Sequence, residues 1–228
     1  MRHHLRVADA RRSTHSVEIN DDARRVLRNT WNLLAMTLLF SAGVAWLSMA
    51  NNWPHPGLLI TLAGYFGLLF LTQALRNSAW GILSTFALTG FMGLTIGPII
   101  SAYTTMFSNG DQLVIAALGT TAVAFVGLSG FAMVTKKDFG FIGPMLFMGI
   151  LVAFVAGLIA YFFNMPALSL AVSAMFAVLM CGVILYETQQ IVRGGETNYI
   201  MATVTLFVSL YNLFLSLLRL MAFFFGEE

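Results

Sequence analysis

Residues 140–163 read GFIGPMLFMGILVAFVAGLIAYFF and contain no charged residue. A helix of about 20 mostly apolar residues is long enough to cross the hydrocarbon core of a bilayer. A strand of a membrane barrel instead alternates apolar and polar residues over about ten positions. Because this run is longer than such a strand and almost uniformly apolar, it predicts a transmembrane α-helix.

Six further stretches of the chain have the same apolar character, and short polar breaks separate them. They lie near residues 30–51, 57–75, 80–103, 112–134, 167–192 and 198–225. Hydrophobic residues make up 58% of the chain and charged residues 10%, whereas about 25% is usual for charged residues in soluble domains. We therefore predict an all-α, polytopic membrane protein in which residues 30–228 form seven transmembrane helices, preceded by a tail at residues 1–29.

The positive charges predict the orientation of these helices. If successive loops alternate between the two sides, one side receives 11 of the 12 basic residues: the seven arginines of the tail, Arg76, Lys136, Lys137 and Arg193. Loops rich in Lys and Arg face the cytoplasm. The N-terminus is therefore predicted to be cytoplasmic and the C-terminus to lie outside. An even number of spans would divide the basic loops between the two sides.

The tail at residues 1–29 differs sharply from the rest of the chain. Its basic residues are Arg2, Arg6, Arg11, Arg12, Arg24, Arg25 and Arg28. No apolar segment follows the first arginines at the distance expected for a signal peptide. The composition predicts a soluble cytoplasmic segment that becomes helical from about Asn20, where an Asn-Asp-Asp sequence is suited to capping a helix.

The sequence contains no recognisable catalytic motif. It lacks a P-loop, a nucleophile elbow and an HExxH sequence. The four histidines lie in the tail or in a loop, and the only cysteine, Cys181, lies in an apolar stretch. We therefore expect no enzyme active site, no bound metal and no cofactor. Topology and contact with anionic membrane lipids explain the tail arginines better than nucleic-acid binding does.

Small residues recur at helical spacing in two of the predicted spans. Gly93 and Gly97 form a GxxxG pair, and Gly149, Ala153 and Gly157 follow one another at intervals of four residues. Such positions allow two helix backbones to approach closely. Packing within the chain is the favoured interpretation, and dimerisation is the alternative.

Glu187 is the one acidic residue well inside a predicted span. A carboxylate within the membrane is energetically costly, so a functional role such as proton or cation handling is the default hypothesis. The alternative is that Glu187 reaches the membrane surface and pairs with Arg193, six residues further on.

The seventh span is too polar for a helix that faces lipid. Its polar residues include Tyr199, Thr203, Ser209, Asn212 and Ser216. Ser209 and Asn212, three residues apart, face nearly the same way on a helix. These residues predict a central helix wrapped by the other six. Arg219, near the outer end, is expected either to extend to the membrane surface or to pair with Glu227 and Glu228.

Several motifs resemble those of the Bax-inhibitor (TMBIM-like) membrane protein family, and specifically its bacterial YccA branch. They are VLRNT at residues 26–30, GFMGLTIGPI at 90–99, YETQ at 186–189, GGETNYI at 194–200 and SLYNLF at 209–214. The resemblance covers nearly all of the chain after the tail. It implies a seven-helix fold with the last helix at the centre, in the bacterial inner (cytoplasmic) membrane.

The resemblance also implies two functions. The YccA branch is associated with the membrane-bound, ATP-dependent protease FtsH as a substrate and modulator. Other bacterial members are pH-sensitive calcium leaks that use two facing aspartates and an arginine near the second and third spans. Glu187 corresponds to the first aspartate, Ser209 to the second and Arg76 to the neighbourhood of the arginine. Because Ser209 cannot ionise, a pair of carboxyl groups that share a proton is incomplete here.

Our main hypothesis is therefore a membrane protein that interacts with and modulates an FtsH-type protease complex in membrane-protein quality control. Its tail, with Arg2, Arg6, Arg11 and Arg12, is the candidate recognition segment. The alternative is a pH-sensitive calcium or proton leak channel that uses Glu187, with Ser209, Asn212 and Arg76 as further candidate residues. A membrane scaffold without either activity is a third hypothesis.

The orientation can be tested with topology reporters. Reporters fused after Lys137 and after Arg193 should report a cytoplasmic location, and one fused after Glu228 should report the periplasm. The physical reason is that the basic loops are retained on the cytoplasmic side. A cytoplasmic C-terminus would overturn the count of seven spans.

Overall fold

The computed structural model describes residues 21–227. Within this range the chain forms seven helices: α1 (Asp21–Ala50), α2 (Leu58–Leu75), α3 (Trp80–Met106), α4 (Gly110–Val134), α5 (Ile142–Phe162), α6 (Pro166–Arg193) and α7 (Tyr199–Phe225). All seven are long and apolar enough to cross a membrane. The predicted all-α polytopic fold is therefore confirmed.

The first helix begins earlier than the apolar run that predicted it. It extends from Asp21 through the predicted boundary at residue 29. Asp21 and Asp22 lie in its first turn, where negative charge complements the helix dipole. Val26 and Leu27 pack against the main hydrophobic core, so this polar beginning of α1 belongs to the folded bundle.

The most buried helix is α7, as the polar residues of the last span predicted. It packs directly against α1, α3, α4 and α6. The outermost helices join the bundle through other helices, α2 through α3 and α5 through α6. The prediction that six helices wrap α7 is thus correct for four of them. The reason is that a helix surface of limited circumference accommodates only a few neighbours.

Two glycines allow α1 and α3 to pack closely. A side chain at Gly93 would collide with the carbonyl oxygen of Ser41, and a Cβ atom at Gly97 would lie 2.7 Å from the carbonyl oxygen of Ala45. The GxxxG pair is therefore used within the chain, as predicted. Pro98 follows and has no N–H to donate to the carbonyl of Leu94.

The carbonyl oxygen that Pro98 leaves without its helical partner is satisfied by the neighbouring helix. The hydroxyl of Ser48 on α1 donates a hydrogen bond of 3.2 Å to the carbonyl oxygen of Leu94. Unpaired backbone groups are costly in lipid, so this bond compensates for the proline at the point where α1 and α3 are in close contact.

The second row of small residues brings α5 close to α6. A Cβ atom at Gly149 would lie 2.7 Å from a methyl carbon of Leu179, and one at Gly157 would lie 3.5 Å from Val172. Ala153, between them, is fully buried. The predicted role of this row in packing within the chain is confirmed.

Hydrogen bonds bring the basic loops together at one end of the bundle. Asn198, which precedes α7, donates to the carbonyl oxygen of Arg76 in the α2–α3 loop (3.0 Å). Arg193 at the end of α6 donates to the carbonyl oxygen of Lys137 in the α4–α5 loop (2.6 Å). The single hydroxyl hydrogen of Thr203 in α7 is shared between the carbonyl oxygens of Tyr199 in the same helix (2.7 Å) and Thr30 in α1 (3.3 Å). We call this the basic end.

The opposite end is formed by the α3–α4 loop and the C-terminal residues, and we call it the C-terminal end. The backbone N–H of Ser108 donates to the carbonyl oxygen of Glu227 (2.8 Å). The side chain of Asn109 donates to the carbonyl oxygen of Phe225 (2.7 Å) and accepts from the N–H of Glu227 (3.2 Å). The grouping of the basic loops at one end agrees with an odd number of spans. Which end faces the cytoplasm stays a prediction.

The close contact between α1 and α3 predicts opposite effects for two equivalent substitutions. Gly97→Ala should lower the melting temperature of the purified protein in detergent, because the new methyl group meets backbone that cannot move independently. Overpacking of this kind costs about 1–3 kcal/mol. Gly119→Ala on α4 is the matched control, since its Cβ atom meets nothing within 4 Å and alanine favours a helix. Equal melting temperatures for the two variants would contradict this account.

Candidate functional site

Glu187 lies on α6, one and a half turns before its end, and points into the bundle. Only 7% of its surface is exposed. One of its carboxylate oxygens, Oε1, is buried without a hydrogen-bond partner in the part of the chain that the structure describes. Buried polar groups are normally hydrogen-bonded. An exception at an acidic residue in the membrane marks a candidate functional site.

The surroundings of Glu187 are mainly apolar. Ile184 and Ile191, one turn before and one turn after it on α6, are completely buried. They belong to the same core cluster as Leu206 and Leu210 of α7. The carboxylate is therefore enclosed on the side of α6 that packs against the central helix.

The two polar residues predicted to accompany Glu187 are satisfied within their own helix. The hydroxyl of Ser209, which is buried, donates to the carbonyl oxygen of Thr205 (2.7 Å). The amide of Asn212 donates to the carbonyl oxygen of Val208 (2.9 Å). Ser209 and Glu187 are buried on two helices that pack against each other, but neither Ser209 nor Asn212 donates a hydrogen bond to the carboxylate.

The alternative hypothesis, that Glu187 reaches the membrane surface and pairs with Arg193, is wrong. The guanidinium of Arg193 forms an ion pair with Asp138 (3.2 Å) and donates to the carbonyl oxygens of Lys136 (3.1 Å) and Lys137 (2.6 Å). The physical reason is position. Arg193 is the last residue of α6 and turns outward to the α4–α5 loop, whereas Glu187 is directed into the core.

Gln189 is a residue of this region that sequence reasoning missed. It is buried, accepts a hydrogen bond from the backbone N–H of Phe139 (2.7 Å) and donates one to the carbonyl oxygen of Lys137 (2.7 Å). One side chain therefore satisfies both a donor and an acceptor of the α4–α5 loop. The sequence contained one signal for this role of Gln189: an amide side chain within an apolar span, which must find hydrogen-bond partners inside the protein.

Two further hydrogen bonds also link polar residues of different helices in the core. The hydroxyls of Thr95 on α3 and Tyr211 on α7 are 2.9 Å apart. Those of Ser129 on α4 and Thr188 on α6 are 3.3 Å apart. Sequence reasoning did not predict either pair, since the sequence does not reveal which helices are neighbours.

Arg76 is not brought to Glu187. It lies just after α2 at the basic end, and its carbonyl oxygen accepts a hydrogen bond from Asn198. Its side chain borders an open surface cavity of about 490 Å³, together with Phe70 and Gln73. In residues 21–227 it forms no ion pair.

The remaining candidates lie elsewhere. Arg219 donates to the hydroxyl of Ser169 (2.8 Å) and forms no ion pair with Glu227, so pairing with that glutamate is not found. Glu228 and the tail residues Arg2, Arg6, Arg11 and Arg12 lie outside the described residues. Among residues 21–227, no group of three His, Cys, Asp or Glu side chains is positioned to hold a metal ion.

The fold and the site together define a class of protein: a seven-helix, multi-pass membrane protein with a polar central helix and a buried carboxylate beside it. The sequence profile of one family, described as "Inhibitor of apoptosis-promoting Bax1", matches residues 23–226. The chain therefore belongs to the Bax-inhibitor family, as its motifs predicted.

Several bacterial relatives are similar over most of their length. An uncharacterized protein of Pseudomonas aeruginosa is 47% identical over 89% of this chain and 91% of the relative. A protein of Escherichia coli K12 named "Modulator of FtsH protease YccA" is 48% identical over 87% of this chain and 90% of the relative. An uncharacterized membrane protein of Vibrio cholerae is 40% identical over 91% of this chain and 93% of the relative.

Proposed function

We propose that this protein resides in the bacterial inner membrane and modulates an FtsH-type membrane protease through protein contact, without catalysing a reaction itself. The observation that carries this proposal is its 48% identity to the Escherichia coli protein named as a modulator of that protease. The same sequence identity is found with an Escherichia coli protein named "Inner membrane protein YccA".

The architecture of the basic end supports a specific mode of contact. The α2–α3, α4–α5 and α6–α7 loops are a few residues long, between the helix ends at Leu75, Val134 and Arg193 and the helices that follow. The hydrogen bonds of Arg193, Gln189 and Asn198 tie them to the junction of α6 and α7. A protease that grips a loop would first have to break these bonds.

The part of the tail that precedes α1, residues 1–20, is longer than any loop at this end. Twenty residues precede α1. Fully extended at about 3.3 Å per residue, they would reach on the order of 65 Å, enough to enter a ring-shaped unfoldase. We propose that the protease engages this segment first and meets the helices of the bundle afterwards.

This mode of contact predicts the effect of removing the tail. Deletion of residues 2–20 should lengthen the lifetime of the protein in cells, because the protease loses the segment that it grips, while membrane insertion stays unchanged. The truncated protein should still co-purify with the protease through its helices and should slow the degradation of other membrane substrates. Pulse-chase measurements in cells with and without the protease test this.

A matched control keeps the length of the tail and changes only its charge. In this variant Gln replaces Arg2, Arg6, Arg11 and Arg12. A lifetime equal to that of the unmodified protein would mean that the protease recognises the length of the tail, and a longer lifetime that it recognises the charge. Equal lifetimes for the full-length and truncated proteins in both cell types would overturn recognition through the tail. Absence of the protease from crosslinked complexes of the full-length protein would overturn the proposed function itself.

The buried carboxylate supports a second candidate function, a leak for calcium or protons. Glu187 has an unpartnered carboxylate oxygen in the core, and groups that change protonation inside a membrane protein are typical of ion pathways. Ser209 supplies no second carboxylate. In this second hypothesis, Glu187 alone binds the cation or proton, so calcium flux would be weak or would lack steep pH gating.

A reconstitution experiment distinguishes this function. In liposomes, Ser209→Asp should introduce pH-dependent calcium flux, because two nearby carboxylates can share a proton. Glu187→Gln should abolish calcium flux in the unmodified protein and in Ser209→Asp. The control is Asp111→Asn, at the exposed start of α4, which should leave the flux unchanged. Robust flux from the unmodified protein that disappears in Glu187→Gln would make the leak the main function. Flux that survives Glu187→Gln would exclude this residue as the pathway.

A further inference from the structure

A cavity of about 320 Å³ opens at the C-terminal end, between the ends of α3 and α7. Tyr103 and Met106 of α3, Phe107 after it, and Arg219 and Phe223 of α7 line it. None of the residues that line it is acidic. The cavity thus combines one positive charge with apolar walls.

The position of Arg219 requires an explanation. It is the one basic residue of 12 that the charge pattern puts on the side of the C-terminus. It precedes the end of α7 at Phe225 by six residues, which corresponds to about 9 Å along the helix. Its side chain is exposed, and a charge at this depth is costly unless an anion or water accompanies it.

The described part of the protein provides little compensation for this charge. One nitrogen of the guanidinium donates to the hydroxyl of Ser169 (2.8 Å). Residues 21–227 contain a single ion pair, and it involves Arg193, not Arg219. A guanidinium has five N–H donors, so several remain available to an anion from outside the chain.

The walls of the cavity are suited to a hydrocarbon chain. Met106 is 67% exposed and Phe223 is 66% exposed, and both lie near the ends of helices that are long and apolar enough to cross a membrane. Tyr103 and Phe107 stack with their ring centroids 6.0 Å apart. The hydrogen bonds of Ser108 and Asn109 to residues 225 and 227 hold the α3–α4 loop against the end of α7.

We propose that this cavity binds an anionic phospholipid of the leaflet on the C-terminal side. The phosphodiester accepts hydrogen bonds from the guanidinium of Arg219, whose side chain extends toward the membrane surface. Met106 and Phe223, near the ends of their helices, contact the glycerol backbone and the first carbons of an acyl chain, which continues toward the bilayer centre. Arginine is well suited to phosphate because its planar donors can engage two oxygens at once. An anionic headgroup is favoured over a zwitterionic one because none of the lining residues offers a carboxylate to an ammonium group.

Native mass spectrometry of the purified protein tests this proposal. The protein in detergent is titrated with phosphatidylglycerol and, separately, with phosphatidylethanolamine carrying the same acyl chains. Arg219→Gln should weaken phosphatidylglycerol binding about tenfold or more, as expected for the loss of a charged hydrogen bond. Arg219→Lys should weaken it less. Lys136→Gln, an exposed basic residue at the other end, is the matched control and should bind normally.

Two further measurements locate the ligand and identify its kind. A phosphatidylglycerol with a photoreactive group on the first carbons of its acyl chain, next to the glycerol backbone, should crosslink to peptides that contain Met106 or Phe223. Phe223→Ser, a change at an exposed position, should reduce this crosslinking without loss of folding. Inorganic phosphate should not displace the lipid.

The following results would overturn the proposal. They are equal binding of phosphatidylglycerol by Arg219→Gln and the unmodified protein, equal affinity for the two lipids, crosslinks confined to other helices, or displacement of the lipid by inorganic phosphate. If Arg219→Gln does not fold, the crosslinking of phosphatidylglycerol to Phe223→Ser is compared with its crosslinking to Lys136→Gln. Equal crosslinking of the two variants would then overturn the proposal. Failure of the lipid site would leave the proposed protease contact untouched, because that contact is at the basic end.

Discussion

In the hydrocarbon core of a membrane, a backbone amide or carbonyl that lacks a partner cannot turn to water. Each such group costs several kcal/mol, and this constraint organises the structure. It requires helices throughout the spans, and it determines what happens where a helix is interrupted. Pro98 removes one donor from α3, and Ser48 of α1 supplies a hydroxyl to the carbonyl of Leu94 that is left over.

The same constraint explains the polar side chains of the core. The hydroxyls of Ser209, Thr203 and Thr72 donate to carbonyl oxygens four residues earlier in their own helices. Other polar groups join different helices, as Thr95 and Tyr211 do. Among residues 21–227, three buried side-chain oxygens lack a hydrogen-bond partner: the hydroxyls of Thr30 and Thr61 and one carboxylate oxygen of Glu187, which is the only one of the three that belongs to an acid. That contrast makes it the strongest candidate for a functional residue in the core.

The two ends of the bundle are organised differently. At the basic end, the side chains of Arg193, Gln189 and Asn198 draw three loops to the junction of α6 and α7. At the C-terminal end, the α3–α4 loop is bonded to the last residues of the chain. A protease contact at the first end and a lipid site at the second would therefore be independent, since different loops and opposite ends of the shared helices form them.

The number of helices, their approximate bounds and the grouping of the basic loops followed from the sequence, because hydropathy and loop charge are properties of contiguous residues. The burial of α7 could also be inferred, since polar groups in a span avoid lipid. For Glu187 the sequence left open whether it is buried or pairs with Arg193 at the membrane surface. The hydrogen-bond and ion-pair partners of individual side chains could not be inferred from the sequence. Arg193 and Asp138 are far apart in sequence, and only the packing of α4, α5 and α6 brings them together. Likewise, Gln189 acquires its role from a loop 50 residues earlier.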